Sequence, residues 1–233
     1  MFENIKDVPI PREEYDIEMV RNYQDIKLND KSERYSEKLV DINEYNIRGI
    51  NYYNNKNNPP YYHSIPGSIS ELFLRESVAK KLVLINEKLS SFGVEVFVLD
   101  AFRPLAVQNY FYFDWVPNYL KSVYPEKSAE WIVRESNAYW TKGARNKEEL
   151  MNSIPPHSTG GAVDITLCFK ETGHLLEMGT IFDDITERSH TNFFENRKDI
   201  NNFSFTAIEA LKNRRLLFHT MVSEGFASHP KEW

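Results

Sequence analysis

Between Ile154 and Leu167 the chain reads Ile-Pro-Pro-His-Ser-Thr-Gly-Gly-Ala-Val-Asp-Ile-Thr-Leu, and this stretch admits only one local course. The prolines at 155 and 156 fix φ and remove backbone donors, so no helix runs into His157. Gly160 and Gly161 permit a tight turn, and Ala162 to Leu167 alternates as a strand does. His157 is therefore expected on a loop and Asp164 in a sheet. Imidazole and carboxylate are usual ligands of zinc, and a tight turn between them can bring both to one ion. The structural alternative is a cap or a satisfied core pair, and the residue types alone leave both open.

The flanking sequence reads as support for that stretch. Residues 1 to 68 are rich in Asn, Tyr, Pro and charge, with a loop from Asn54 to Pro60, and are expected to form an arm that wraps the core. Tyr52, Tyr53, Tyr61 and Tyr62 either overhang a pocket or only pack against the body. From Ser70 to Ser90 the apolar positions Leu72, Val78, Leu82, Ile85 and Leu89 fall largely on one helical stripe, and Gly93 marks the stop. Val94 to Leu99 is a β-branched and aromatic strand ending at Asp100. A second helix is expected from Leu105, so Arg103 stands at a strand-to-helix junction. A helical insertion is predicted near 115–150. A hairpin turn at Lys170 to Gly173 and a returning strand at His174 to Glu177 should follow. Residues 178–190 fit neither period, and a final helix spans 204–224, closed by Gly225.

At 233 residues, with 41% apolar and 27% charged side chains, the chain can bury a core as one elaborated domain. A net charge of −6 with no basic run argues against nucleic acid as the main partner. No apolar run is long enough to span a membrane, and the first residues, Met1-Phe2-Glu3-Asn4-Ile5-Lys6-Asp7, do not read as a signal peptide. The single Cys168 forms no internal disulfide and reads as a small buried hydrophobe. These features fit a cytoplasmic protein; oligomeric state is open.

His157-Ser-Thr-Gly-Gly-Ala-Val-Asp164-Ile-Thr-Leu resembles the zinc motif of the D-alanyl-D-alanine dipeptidases, in the wider D-Ala-D-Ala metallopeptidase group. The resemblance covers roughly residues 65 to 233 and implies that His157 and Asp164 are zinc ligands. Asp100-Ala-Phe-Arg103-Pro resembles the family's Asp-Ala-Tyr-Arg-Pro, whose Arg stabilises the oxyanion formed when water attacks the scissile carbonyl. Such a role for Arg103 is sound physically, although a structural ion pair with Asp100 or another acid would also suit it. Met178-Gly-Thr to Phe182-Asp183 resembles the segment whose Asp binds the substrate's free amino group, with Asp184 as the less favoured neighbour. An unpaired carboxylate there would select a dipeptide over longer chains. Glu187-Arg188-Ser189-His190 also matches the family and reads as loop scaffolding.

Two positions depart from the pattern. The family's Glu-Trp-Trp-His supplies the general base and a third zinc ligand. This sequence reads Gly225-Phe-Ala-Ser-His229-Pro-Lys-Glu232-Trp233, so Glu232 matches the base and the ligand position is not reached. A continuing chain, a silent natural truncation, and substitution by another His such as His229 are the competing explanations. Pro155 stands where a vancomycin-resistance member has a substrate-binding Ser. The resemblance implies an α+β fold, with a central, mainly antiparallel sheet flanked by helices and a zinc cleft on one sheet face. It divides the chain into the arm (1–68) and a catalytic domain (69–233). It also implies zinc-dependent hydrolysis of the D-alanyl-D-alanine dipeptide. A D,D-carboxypeptidase acting on peptidoglycan stems and a silent relative are the alternatives.

Overall fold

A computed structural model describes residues 5–11, 31–33, 35–195, 197 and 204–233. The parts of the expected arm at 1–4, 12–30 and 34 lie outside the described residues. Five strands occur in chain order: Leu39–Asp41 (β1), Arg48–Gly49 (β2), Phe73–Arg75 (β3), Val94–Asp100 (β4) and Asp164–Phe169 (β5). The helices are Glu76–Leu89 (α1), Leu105–Tyr110 (α2), Val116–Val123 (α3), Ala129–Tyr139 (α4), Lys147–Asn152 (α5) and Phe205–Ser223 (α6). A π-helical turn, Phe111–Trp115, joins α2 to α3.

β4 organises the fold because its Val-rich sequence buries both faces. It is the middle strand of the order β2-β4-β5, parallel to β2 and antiparallel to β5. β1 and β3 form a separate antiparallel ribbon. The fold is thus α+β with mainly antiparallel pairing. One core joins Leu82, Ile85 and Leu89 of α1 to Val94, Val96 and Val98 of β4, Leu167 of β5, and Leu216 and Leu217 of α6. A second is largely aromatic and unites Tyr53, Tyr61, Phe111, Val116, Leu120 and Trp140. The end of β4 lies where the two meet. Ala101 belongs to the first core, and the Arg103 guanidinium lies 5.0 Å from the Tyr53 ring of the second.

Pairing between strands overrides the sequence reading in two places. The helix expected from Ser70 starts at Glu76, because residues 73–75 are taken by β1. The turn after β5 forms, with the Gly173 amide bonding the Phe169 carbonyl at 2.7 Å. The returning strand, however, is reduced to one bridge between Cys168 and Leu175. Elsewhere the helices fall where expected. Ser204 caps α6 by accepting a hydrogen bond from the Ala207 amide, and Cys168 is fully buried. No helix among the described residues is long and apolar enough to cross a membrane.

Candidate active site

Asp100 and Asp164 are cross-strand partners at the end of the β4–β5 ladder, beside a bulge between Val98 and Asp100. Two carboxylates facing each other repel, and a bulge re-aims the side chains beside it. Here a cation resolves the conflict. The buried Arg103 donates from Nε to Asp100 Oδ2 at 2.9 Å and from Nη2 to Asp164 Oδ2 at 2.8 Å. A third donor, Nη1, bonds the Gln108 side-chain oxygen at 3.1 Å. The structural ion pair weighed from the sequence therefore exists, with both acids. It also fixes the guanidinium rigidly, since Pro104 and the start of α2 hold its backbone.

His157 comes to the same point from a single 3-10 turn, Pro156–Thr159. Gly160 closes that turn at φ +69°, a left-handed value that disfavours any side chain with a Cβ. The Arg103 amide bonds the His157 carbonyl at 3.2 Å, and the Ser158 hydroxyl donates to the Arg103 carbonyl at 2.9 Å. The imidazole is held at both nitrogens. Nδ1 lies 3.0 Å from the Ala101 carbonyl and 3.2 Å from Asp100 Oδ2, while Nε2 lies 3.3 Å from Asp164 Oδ1. Oxygens on Nδ1 hold a proton there, so a metal ion that displaced the Nε2 proton would meet that nitrogen's electron pair.

Ligand-type atoms of Asp100, His157 and Asp164 lie within 4.8 Å of one another. Asp100, however, is engaged by Arg103 and by the opposite ring nitrogen of His157, which makes it an orienting carboxylate for the imidazole. The pair that suits a metal ion is His157 Nε2 with Asp164, a nitrogen and an oxygen of the kind zinc accepts. The electrostatics agree. Burial disfavours a charged imidazole, but the Asp164 charge and the hydrogen bonds to Asp100 and Asp164 together outweigh it, and the His157 pKa is pushed up to about 10. Burial likewise opposes ionisation of Asp164, yet His157 and Arg103 hold its carboxyl below the usual range. A site that retains a proton this strongly attracts positive charge. His157 and Asp164 supply a nitrogen and an oxygen of the kind zinc accepts, two of the three protein ligands that a catalytic zinc usually keeps.

A cavity of about 850 Å³ opens over this pair, and Arg103, His157, Asp164, Asp183 and Glu232 all line it. Asp183 reaches it from the 178–190 loop in a left-handed conformation, φ 59°. It is not the unpaired carboxylate that the sequence suggested. Tyr61 and Tyr53 donate their hydroxyls to Asp183 Oδ2 at 2.7 and 3.0 Å, and Tyr53 also receives Arg103 Nη2 at 3.4 Å. Burial and then the Asp164 charge push the Asp183 pKa up to about 8. Tyr53 and Tyr61 are the site residues that the sequence undervalued. A tyrosine cluster in a loop carries no periodic signal, and packing explained it equally well. Of the other two, Tyr52 packs edge-on against Phe182 and Tyr62 is 69% exposed.

Glu232 enters from the far end of the chain. Its amide bonds the His229 carbonyl at 3.1 Å, and its carbonyl accepts the Thr191 hydroxyl. Burial first, and then Asp164, push its pKa up to about 7. Trp233 is anchored by Nε1 to the Thr180 hydroxyl at 2.7 Å. His229 lines the same cavity, with a buried Nδ1 that has no hydrogen-bond partner among the described residues, and burial lowers its pKa to about 4. It stands outside the 4.8 Å cluster of ligand atoms.

This geometry coincides with a family assignment. The sequence profile of the D-ala-D-ala dipeptidases, peptidase family M15, matches residues 68–233. The chain belongs to that family. It is 29% identical over 181 residues to a D-alanyl-D-alanine dipeptidase of Synechocystis, a match covering 70% of this chain and 68% of the relative. It is 33% identical over 144 residues to one of Enterococcus faecalis, covering 62% of each chain. A D-alanyl-D-alanine dipeptidase of Enterococcus faecium is 29% identical over 159 residues, covering 67% of this chain and 68% of the relative. Tyr53 and Tyr61 precede the span that the family profile matches.

Proposed function

We propose that this protein hydrolyses the D-alanyl-D-alanine dipeptide with zinc as its cofactor. One observation carries the reading: four separate segments of the chain bring Arg103, His157 with Asp164, Asp183 and Glu232 to line one cavity. The names of its relatives supply the substrate class. His157 and Asp164 would hold the ion. When bound, zinc supplies a Lewis acid that polarises a carbonyl and acidifies water.

The rest of the chemistry belongs to the chain's own side chains. Glu232, with a pKa near neutrality, suits a group that takes a proton from water and returns it to the leaving amine. Arg103, fixed by two carboxylates and Gln108, offers immobile positive charge to the oxyanion. Asp183 receives the substrate ammonium, and that positive charge offsets the burial which keeps its carboxyl protonated. The 1–68 segment contributes directly on this reading, through Tyr53 and Tyr61, and the 69–233 segment supplies the catalytic groups.

The test is a substrate series with the zinc-loaded full chain. D-Ala-D-Ala should be cleaved, while L-Ala-L-Ala, N-acetyl-D-Ala-D-Ala and a pentapeptide ending in D-Ala-D-Ala should be poor substrates. Preference for the pentapeptide would replace this reading with a D,D-carboxypeptidase. Absence of hydrolysis in the whole series, with zinc bound, would leave a silent binding protein.

A further inference from the structure

Among the described residues Arg214 is the largest side chain that is fully buried, and the mechanism above does not use it. It projects from α6 with 2% of its surface exposed. Among the described residues no carboxylate lies within ion-pair distance of it. Its three donor nitrogens meet three backbone carbonyls instead: Nε with Met178 at 2.7 Å, Nη2 with Arg188 at 2.8 Å and Nη1 with His190 at 2.8 Å. The guanidinium packs over Phe194, 4.7 Å from the ring centroid. A buried cation without a counter-ion is costly, and an apolar side chain would fill the same space without that penalty. The contacts it makes are therefore informative.

Those three carbonyls are the two ends of one loop. Met178 opens the segment that carries Asp183, and Arg188 and His190 close it. The loop has little regular structure of its own beyond the turn Glu187–Ser189. At its middle, Asp183 holds a left-handed backbone conformation, which few residues other than Gly, Asn and Asp adopt. The second end also carries the general base. The Ser189 hydroxyl donates to the Lys231 carbonyl at 2.8 Å, and the Thr191 amide bonds the Pro230 carbonyl at 3.3 Å. Asn213, next to Arg214 on α6, bonds the Glu177 carbonyl at 2.9 Å and extends the anchorage.

We infer that Arg214 is a positioning residue that clasps both ends of the 178–190 loop, setting Asp183 in the cavity and bracing the segment that bears Glu232. The roles of Asp183 and Glu232 in this statement rest on the dipeptidase reading. A planar guanidinium directs its donors along fixed diverging lines, whereas a lysine ammonium has neither the span nor the geometry to reach all three carbonyls. Zinc binding is spared, because His157 and Asp164 are held by the 156–160 turn and the β4–β5 ladder.

The test compares Arg214→Lys with Arg215→Lys in the zinc-loaded full chain. Arg215 is the adjacent arginine on α6, paired with Glu195 at 2.6 Å and bonded to the Lys6 and Asp7 carbonyls at 3.4 and 3.3 Å. Arg214→Lys should speed amide hydrogen exchange in residues 178–190 at least tenfold while β4 and β5 keep their protection. It should retain zinc and lose about 100-fold in kcat/KM on D-Ala-D-Ala, the scale of a misplaced reacting group. That loss should divide between a raised KM, through Asp183, and a lowered kcat, through Glu232. Arg215→Lys should leave all of these near wild type. Wild-type exchange and kinetics in Arg214→Lys would overturn the inference, as would loss of protection spread evenly over the chain. Should that variant not fold, the wild-type protein decides: free-peptide exchange at the Ser189 and His190 amides would show that no clasp exists. A wild-type protein that ignores the dipeptide defeats the dipeptidase reading, and the exchange measurements still judge the clasp.

Discussion

At the scale of single residues, Arg103 is engaged three times over, and the oxyanion role proposed for it depends on that rigidity. Arg103→Lys keeps the charge but loses the fork that bonds Asp100, Asp164 and Gln108 together. We expect kcat to fall on the order of 100- to 1000-fold, as when an oxyanion donor is removed, with a smaller change in KM. Steady-state kinetics on the dipeptide checks this; an unchanged kcat would assign Arg103 to structure alone. Tyr61 acts through Asp183. Its hydroxyl favours the ionised carboxylate, which burial and Asp164 otherwise oppose. Tyr61→Phe should therefore raise the Asp183 pKa further, increase KM severalfold at pH 7, and move the acid limb of kcat/KM to higher pH. A pH profile that does not move would remove Tyr61 from the site.

At the scale of elements, the short 3-10 turn before β5 decides whether His157 and Asp164 meet. The Arg75 amide bonds the Gly160 carbonyl at 3.0 Å and the Arg75 Nε bonds the Thr159 carbonyl at 2.9 Å, so the end of β3 holds the turn. A Cβ on Gly160 would collide with Leu39 of β1 while the backbone stays left-handed. Gly160→Ala is expected to destabilise the protein by about 1–2 kcal/mol for the left-handed backbone alone. Zinc affinity should fall with it, read by titration against a competing chelator. Unaltered affinity would mean that the turn does not set the ligand pair. The ribbon β1–β3 thus serves the site from a distance. Its effect was hidden in the sequence, where residues 70–75 read as the first turn of a helix.

For the whole molecule, the fold buries the carboxyls of Asp164, Asp183 and Glu232 around one cavity. Asp183 and Glu232 keep their protons to about 8 and about 7, against ordinary values of 3.8 and 4.5. Between those limits these two groups bind more protons in the folded chain than in the unfolded one, so their contribution to stability declines as pH rises from about 4 to about 8. Each group contributes at most ~1.4 kcal/mol per pH unit. Urea unfolding of the zinc-free protein at pH 5, 6.5 and 8 should show this decline, and Asp183→Asn should flatten it. Zinc should restore stability most at pH 8, where its charge meets ionised carboxylates. Free zinc at a hundredfold excess over Kd gives about 2.7 kcal/mol. A midpoint that zinc does not raise at pH 8 counts against a metal held by His157 and Asp164.

What the sequence determined by itself was local. Prolines, glycines and alternation placed His157 on a turn and Asp164 at a strand start, and the apolar stripes located β4, α1 and α6 to within a few residues. The remaining candidates, Arg103, Asp183 and Glu232, came from the resemblance of the short runs around them to the motifs of the dipeptidase family. Tertiary structure decided everything that depends on distance through space. It paired residues 73–75 with β1 instead of leaving them to a helix, and set Asp100 opposite Asp164 with Arg103 between them. It also brought Tyr53 and Tyr61 some 120 to 130 positions along the chain to Asp183. Periodicity reports which face of an element is buried, but not which element buries it. The partners of a buried carboxylate are chosen by packing, after the elements have formed.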